Sequence, residues 1–232
     1  MKRLFAILLL LPLHIPALAE TVELGDATIP YAAPAGFARA DGLYPLDLSG
    51  LDQEFDLHSI VFAQYVPAAD IPVRQNDPRA IPSWYVHLAY DDEYSRYTLN
   101  EWLFAIVAFF IDKSLVRQYD KPTFTRKLES VIGGALRRKI TIEAMTQKGF
   151  VDKKTTLRSM LAHGQGLVES NNGDNGKMER YVMACMTTFY LREGRWLTIL
   201  QGARLQSEAD LPAFTTRALR IVAEITQGKN AP

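Results

Sequence analysis

YVMACMTTFYLREGRWLTILQGARL, residues 181–205, is two strands folded around a turn. Tyr181–Leu191 and Trp196–Leu205 each carry the β-branched, aromatic and apolar residues of a strand. Between them Glu193-Gly194 is a two-residue connection in which Gly supplies a positive φ. The first strand has Tyr181, Met183, Cys185 and Phe189 on one face and Val182, Ala184, Met186 and Tyr190 on the other. A strand with one wet face would alternate apolar with polar, and this one does not. Both faces therefore need cover. That requirement predicts a sheet with helices on each side.

The rest of the chain supplies the pieces. Residues 21–30 open with a short strand or hairpin, and His58–Val66 reads as a strand stopped by Pro67. Trp84–Tyr90 alternates Trp84, Val86, Leu88 and Tyr90 against Tyr85, His87 and Ala89. Residues 43–56 read as a polar loop with one helical turn around Leu48–Phe55, and Pro72–Pro82 reads as a loop. Ile140–Met145, Thr155–Leu161 and Leu167–Glu169 read as strands or as pieces of one bent strand, and Asn171–Gly176 as a turn. Ser207-x-x-Asp210 begins a last helix, with Leu211, Phe214, Ala218, Leu219, Val222 and Ile225 on its inner face and Gly228 at its end.

Between the strands the period changes. Thr98-x-x-Glu101 has the form of a capping box. Behind it Leu99, Trp102, Leu103, Ile106, Val107, Phe110, Leu115 and Tyr119 recur at helical spacing. Leu103–Ile111 is apolar all round, which predicts a deeply buried helix at the centre of stability. Pro122 ends or kinks it. A second amphipathic helix carries Phe124, Leu128, Val131, Ile132, Ala135 and Leu136 inward and finishes on Arg137, Arg138 and Lys139, the favourable sign at a C-terminus. The fold class is α+β, with a largely antiparallel sheet and packed helices, in the form of an α/β/α sandwich.

Composition and the N-terminus bound the function. MKRLFAILLLLPLHIPALA has a basic start, an apolar run and Ala17-Leu18-Ala19 before Glu20, the layout of a cleaved secretory signal peptide. The expectation is cleavage between Ala19 and Glu20, a periplasmic location, and a single domain over residues 20–232 with no transmembrane anchor. Without Lys2 and Arg3, 24 basic residues face 26 acidic ones, so a nucleic-acid binder's electrostatic footprint is missing. Cys185 is the sole cysteine, so an internal disulfide is ruled out and the core must hold the fold.

Chemistry is sparse. No nucleophile elbow, zinc-protease helix, C-x-x-C, P-loop or dinucleotide fingerprint occurs. His58, His87 and His163 each stand alone, so no local metal pair exists, and no cofactor is implied. Cys185 lies mid-strand among Met183, Ala184 and Met186 and reads as a small hydrophobe, without the cationic neighbour that activates a thiolate. Asp91-Asp92-Glu93, flanked by Tyr90, Tyr94 and Tyr97, reads first as a solvated turn and second as a polar lip or cation corner. The candidate binding residues are therefore His87, Asp91, Asp92 and Tyr94.

Thr28-Ile-Pro … Pro34-Ala-Gly-Phe37 resembles the entrance of PsbP-like proteins and their bacterial DcrB-like relatives, and YLREGRWLTILQGARLQSEADLPAFTTRALRIVAEI, residues 190–225, resembles their closing hairpin and helix. The resemblance implies a non-catalytic α/β/α sandwich serving as an exported accessory or binding protein, and carries over no site residues. The expected function is accordingly recognition of an envelope protein, a toxin or a small ligand. The alternative is an envelope hydrolase with a non-local site built from His87, Asp91 and a Ser or Cys.

Overall fold

The computed structural model describes residues 20–44, 58–119, 122–170 and 177–227. The leader, the helical turn expected at Leu48–Phe55, the Asn171–Gly176 turn and Gly228 lie outside the described residues. The elements are β1 (Glu20–Leu24), β2 (Ala27–Tyr31), β3 (Phe37–Arg39), β4 (Ser59–Pro67), α1 (Asp70–Asn76), β5 (Trp84–Asp91), α2 (Glu101–Tyr119), α3 (Pro122–Leu136), β6 (Ile140–Lys153), β7 (Leu157–Glu169), β8 (Met178–Arg192), β9 (Arg195–Leu205) and α4 (Leu211–Gln227).

Seven strands form one antiparallel sheet in the order β3-β4-β5-β9-β8-β7-β6, and β1-β2 is a separate two-stranded hairpin. The β8–β9 turn is as expected: Arg192 faces Arg195, while Glu193 and Gly194 both take positive φ, the type I′ geometry that matches strand twist. Strands β6 and β7 are two long strands in place of the shorter pieces expected. Three register shifts in their pairing absorb the polar breaks that made the sequence read as interrupted, and they bend an otherwise exposed edge.

Both faces are covered, for a topological reason. Strand β9 ends at the sheet centre, and α4 folds straight back on one face. There Phe214, Ala218, Ile221, Val222 and Ile225 pack on Trp84, Val86, Leu88, Ala184, Met186 and Ile199. Phe214 stacks on Trp84 at 4.7 Å between ring centroids, and Gln201 donates from Nε2 to the Ala218 carbonyl at 3.1 Å. The start of α4 is closed as the Ser207-x-x-Asp210 pattern predicts, with the Ser207 amide donating to Asp210 Oδ2 at 3.0 Å. The β1–β2 hairpin lies on this same face, tied by the Ala32 amide to the Ile225 carbonyl.

The other face is covered by the connection between β5 and β6. Those strands stand at the centre and at the far edge, so the chain must cross β9, β8 and β7 to link them. Helices α2 and α3 are that crossing. The end of α3 is a Schellman motif, with Arg138 donating to the Gly133 carbonyl at 3.0 Å and Arg137 to that of Gly134 at 3.2 Å. Arg137 itself takes the positive φ of 54° usually left to Gly.

Three sequence expectations need correction. Asn100, not Thr98, caps α2, accepting from the Leu103 amide at 2.8 Å on Oδ1. Pro72–Pro82 is not all loop, because Pro72 falls in the first turn of α1, where its missing N–H has no helical partner to lose. Most consequentially, α2 is not a buried core helix over residues 101–110, where its side chains are described. Phe104 and Ala108 are fully buried, yet Trp102 is 72% exposed, Phe110 65% and Phe109 50%. An all-round apolar helix is equally the pattern of a helix that lends only one stripe to the core. Here the stripe is Phe104 and Ala108, against Met160, Phe189, Leu191 and Trp196.

Phe104→Ala should therefore lower stability by about 3–5 kcal/mol, whereas Phe110→Ala should change it by no more than about 0.5 kcal/mol. Thermal melts of the two variants check this. Equal losses would return α2 to the core.

Candidate functional site

The two covers differ in how well they fill. Beneath α4 the side chains interlock. Beneath α2 and α3 a cavity of about 770 Å³ remains, within the range of about 300–1,000 Å³ typical of small-molecule sites. Its floor is the second face of β5, β9 and β8, with Tyr85, His87, Cys185, Thr187 and Leu200; its roof is α3, with Leu128, Val131 and Ile132. Phe110 of α2 both lines the cavity and stands in solvent, which marks the mouth. Of the described lining residues, Asp91 is the one carboxylate side chain and Arg204 the one guanidinium.

Register places the floor residues in rows. Tyr85 pairs with Gly202 on β9, and Gly202 with Cys185 on β8. The Tyr85 ring lies across Gly202 so closely that a Cβ there would come within 2.3 Å of it. The absent side chain lets the Tyr85 hydroxyl reach Cys185 Sγ at 3.5 Å. The next row holds His87, Leu200 and Thr187.

His87 is 4% exposed, its ring lies 5.1 Å from that of Tyr85, and its Nδ1 has no hydrogen-bond partner. Burial drives its pKa down to about 4, only slightly opposed by the negative charge of Asp41, so the imidazole is neutral at physiological pH. Burial also pushes the Cys185 thiol up, with the Tyr85 hydroxyl opposing weakly. That is the reverse of an activated nucleophile.

The other candidates sort by what holds them. Asp91 shares the cavity wall with His87 and Cys185, and His163 borders it from β7, so four of the residues weighed as possible chemistry stand around one cavity. No hydrogen bond joins any two of His87, Asp91 and Cys185. Asp91 spends one carboxylate oxygen on the His58 amide at 2.6 Å and the other on the Tyr94 amide at 2.7 Å, closing the turn after β5. On one strand it stands four residues from His87, roughly 13 Å away. Asp92 forms an exposed ion pair with Arg96 at 3.0 Å. Tyr94 lines the cavity edge and stacks with Trp196 at 6.3 Å. His163 pairs with Ala184, so its ring lies on the α4 face, with Nδ1 3.7 Å from Glu208. Among the described residues, no group of three His, Cys, Asp or Glu converges to hold a metal ion.

Sequence reading missed the roof and the mouth. Phe124, Leu128, Val131 and Ile132 carry the ordinary pattern of an inward helix face, and nothing local distinguishes packing on a core from standing over a void.

His87 makes stability pH-dependent with a definite sign. Its folded pKa of about 4 lies below the ordinary value of 6.5, so between those values the unfolded chain binds a proton that the folded chain refuses, and stability falls as pH drops. Fully developed, the effect is on the order of 3 kcal/mol. Urea melts at pH 7 and pH 4.5 should show a steeper loss for the natural protein than for His87→Leu. Identical losses would mean the ring is not desolvated.

No family model, curated protein or solved structure matches this chain.

Proposed function

We propose that the chain is an exported, periplasmic binding protein that holds a predominantly apolar small molecule between its sheet and the α2–α3 cover. The observation that carries this reading is the cavity itself. The cavity opens at its mouth, so Leu, Ile, Val, Met and Phe side chains line a space that reaches solvent, and an apolar ligand seated there would take that surface out of water. Its scattered polar groups suit orientation of a ligand more than covalent chemistry. The near-neutral surface fits a ligand chosen by shape and apolar contact, and the leader fits export. The resemblance of the two chain ends to PsbP-like proteins belongs to the same reading, as does an accessory role in the envelope. No helix among the described residues is long and apolar enough to cross a membrane.

A neutral apolar fluorophore, N-phenyl-1-naphthylamine, tests it. The dye should bind saturably with enhanced, blue-shifted emission. Val131→Trp, which fills the cavity from the roof, should weaken binding by about tenfold or more, equivalent to about 1.4 kcal/mol, with the melting temperature held. Undiminished binding by that variant would locate the dye on the exposed face of α2 and overturn the reading.

Export has its own check. Protein recovered from the envelope of its host should have the intact mass of a chain beginning at Glu20. A membrane-embedded product retaining Lys2 and Arg3 would defeat it.

A further inference from the structure

The most informative polar residue of the cavity is a buried histidine on its floor. Tyr44, Trp196 and Gln201 of the lining also hold a buried polar atom without a partner, but none of them stands at the centre of the floor. His87 is 4% exposed, lines the cavity floor and leaves Nδ1 without a partner. Its neighbour across β4, Gln64, is 8% exposed, and its Oε1 is likewise unpartnered. Buried polar atoms are nearly always paired, and an orphan costs the desolvation of the group with nothing in return. An apolar side chain at position 87 would avoid that loss and would match Ala89 and Leu200 beside it. An unmet hydrogen-bonding group in an otherwise apolar floor is the usual form of a ligand-orienting contact.

Resting on the cavity reading above, we infer that the ligand carries an uncharged hydroxyl group, which hydrogen-bonds the His87 imidazole in the interior of the cavity. Nδ1 is sealed within the protein, so the nitrogen a ligand can reach is Nε2, and a hydroxyl, both donor and acceptor, complements Nε2 in either neutral tautomer. A pure hydrocarbon would leave the ring unpaired. A carboxylate brought to this depth would have no partner cation: Asp91 has the wrong sign, and Arg204 is exposed and lies four residues along β9 from Leu200, the partner of His87, roughly 13 Å away. Burying an unpaired anion is among the costliest steps available to a binding site. The low pKa of His87 agrees, because the ring stays uncharged and offers an anion no counterion.

Three probes of one size separate these cases: 1-naphthol, naphthalene and 1-naphthoate, each titrated by displacement of N-phenyl-1-naphthylamine from the full mature chain. Naphthol should bind about five- to tenfold tighter than naphthalene, the worth of one well-placed hydrogen bond, and naphthoate should bind weakest. In His87→Leu, which removes a buried orphan and should fold at least as well, naphthol should fall to the level of naphthalene while naphthalene is unchanged. His87→Gln, which keeps a donor and an acceptor, should restore part of the preference. Equal affinity for naphthol and naphthalene, or a naphthol preference that survives in His87→Leu, would overturn the inference and leave the cavity reading standing. Naphthoate as the tightest ligand would move recognition to Arg204. Failure of the dye and of all three probes to bind would overturn the cavity reading and this inference together.

Discussion

Everything in this fold depends on the double-sided apolar character of the three central strands. β5, β9 and β8 expose hydrophobic side chains to both faces of the sheet, and each face left in water would forfeit about 25 cal/mol for every Å² of apolar surface. One face is satisfied locally, since α4 follows β9 directly and packs back on the strand it has just left. The other must be satisfied at a distance, by a connection that happens to cross it. The two solutions differ in quality. A helix anchored by Phe214 stacked on Trp84 and by a bond from Gln201 closes tightly, whereas a crossing stretched from the centre to the edge arches and leaves a cavity.

An arch needs abutments, and buried arginines supply them. Arg74 of α1, 4% exposed, donates to three backbone carbonyls: Leu43 at 3.0 Å, Ala80 at 3.1 Å and Ala135 at 3.1 Å. Its guanidinium also lies 4.3 Å over the Tyr44 ring. The last bond satisfies a carbonyl at the C-terminus of α3, where a cation is also favoured by the helix dipole. Arg138, just past the helix, donates to the Arg79 and Glu169 carbonyls and joins that end to β7. The planar fork of Arg suits this bridging, which a lysine could not reproduce. The end of α3 is thus pinned, and its middle is tied to β6 by Glu129, whose Oε1 accepts from the Ile142 amide at 2.7 Å.

The polar residues of the floor follow the same division between support and function. Tyr85 and Cys185 satisfy one another across the bare backbone of Gly202, so that row is internally complete. Asp91 gives both carboxylate oxygens to backbone amides and serves the turn. Of Tyr85, His87, Cys185 and Asp91, His87 is the one whose ring nitrogen has no partner, so it, and not the more conspicuous acidic cluster beside it, supports the proposed recognition.

Much of this architecture was legible because it is encoded within a few residues. Glu193-Gly194 selects its hairpin through backbone conformation, Ser207 and Asp210 close a helix start through their own hydrogen bonds, and the uninterrupted apolar character of Tyr181–Leu191 demands two covers whatever those covers are. Cys185 could be read as a packed hydrophobe from its neighbours alone. The sequence by itself thus determined the α+β class, the hairpin, the terminal helix and the need for burial on both faces. It could not show that β5 lies beside β9, because partners more than a hundred residues apart are chosen by the energy of the whole sheet. Nor could it show that Asn100 takes the cap from Thr98, or that Phe110 faces water while Phe104, six residues away, is buried, since an all-round apolar helix has no inner face until a neighbour creates one. The cavity, and the placement of His87 within it, were decided only when the β5–β6 connection crossed the sheet: a void is a property of the distance between two elements, and no single segment of chain carries that distance.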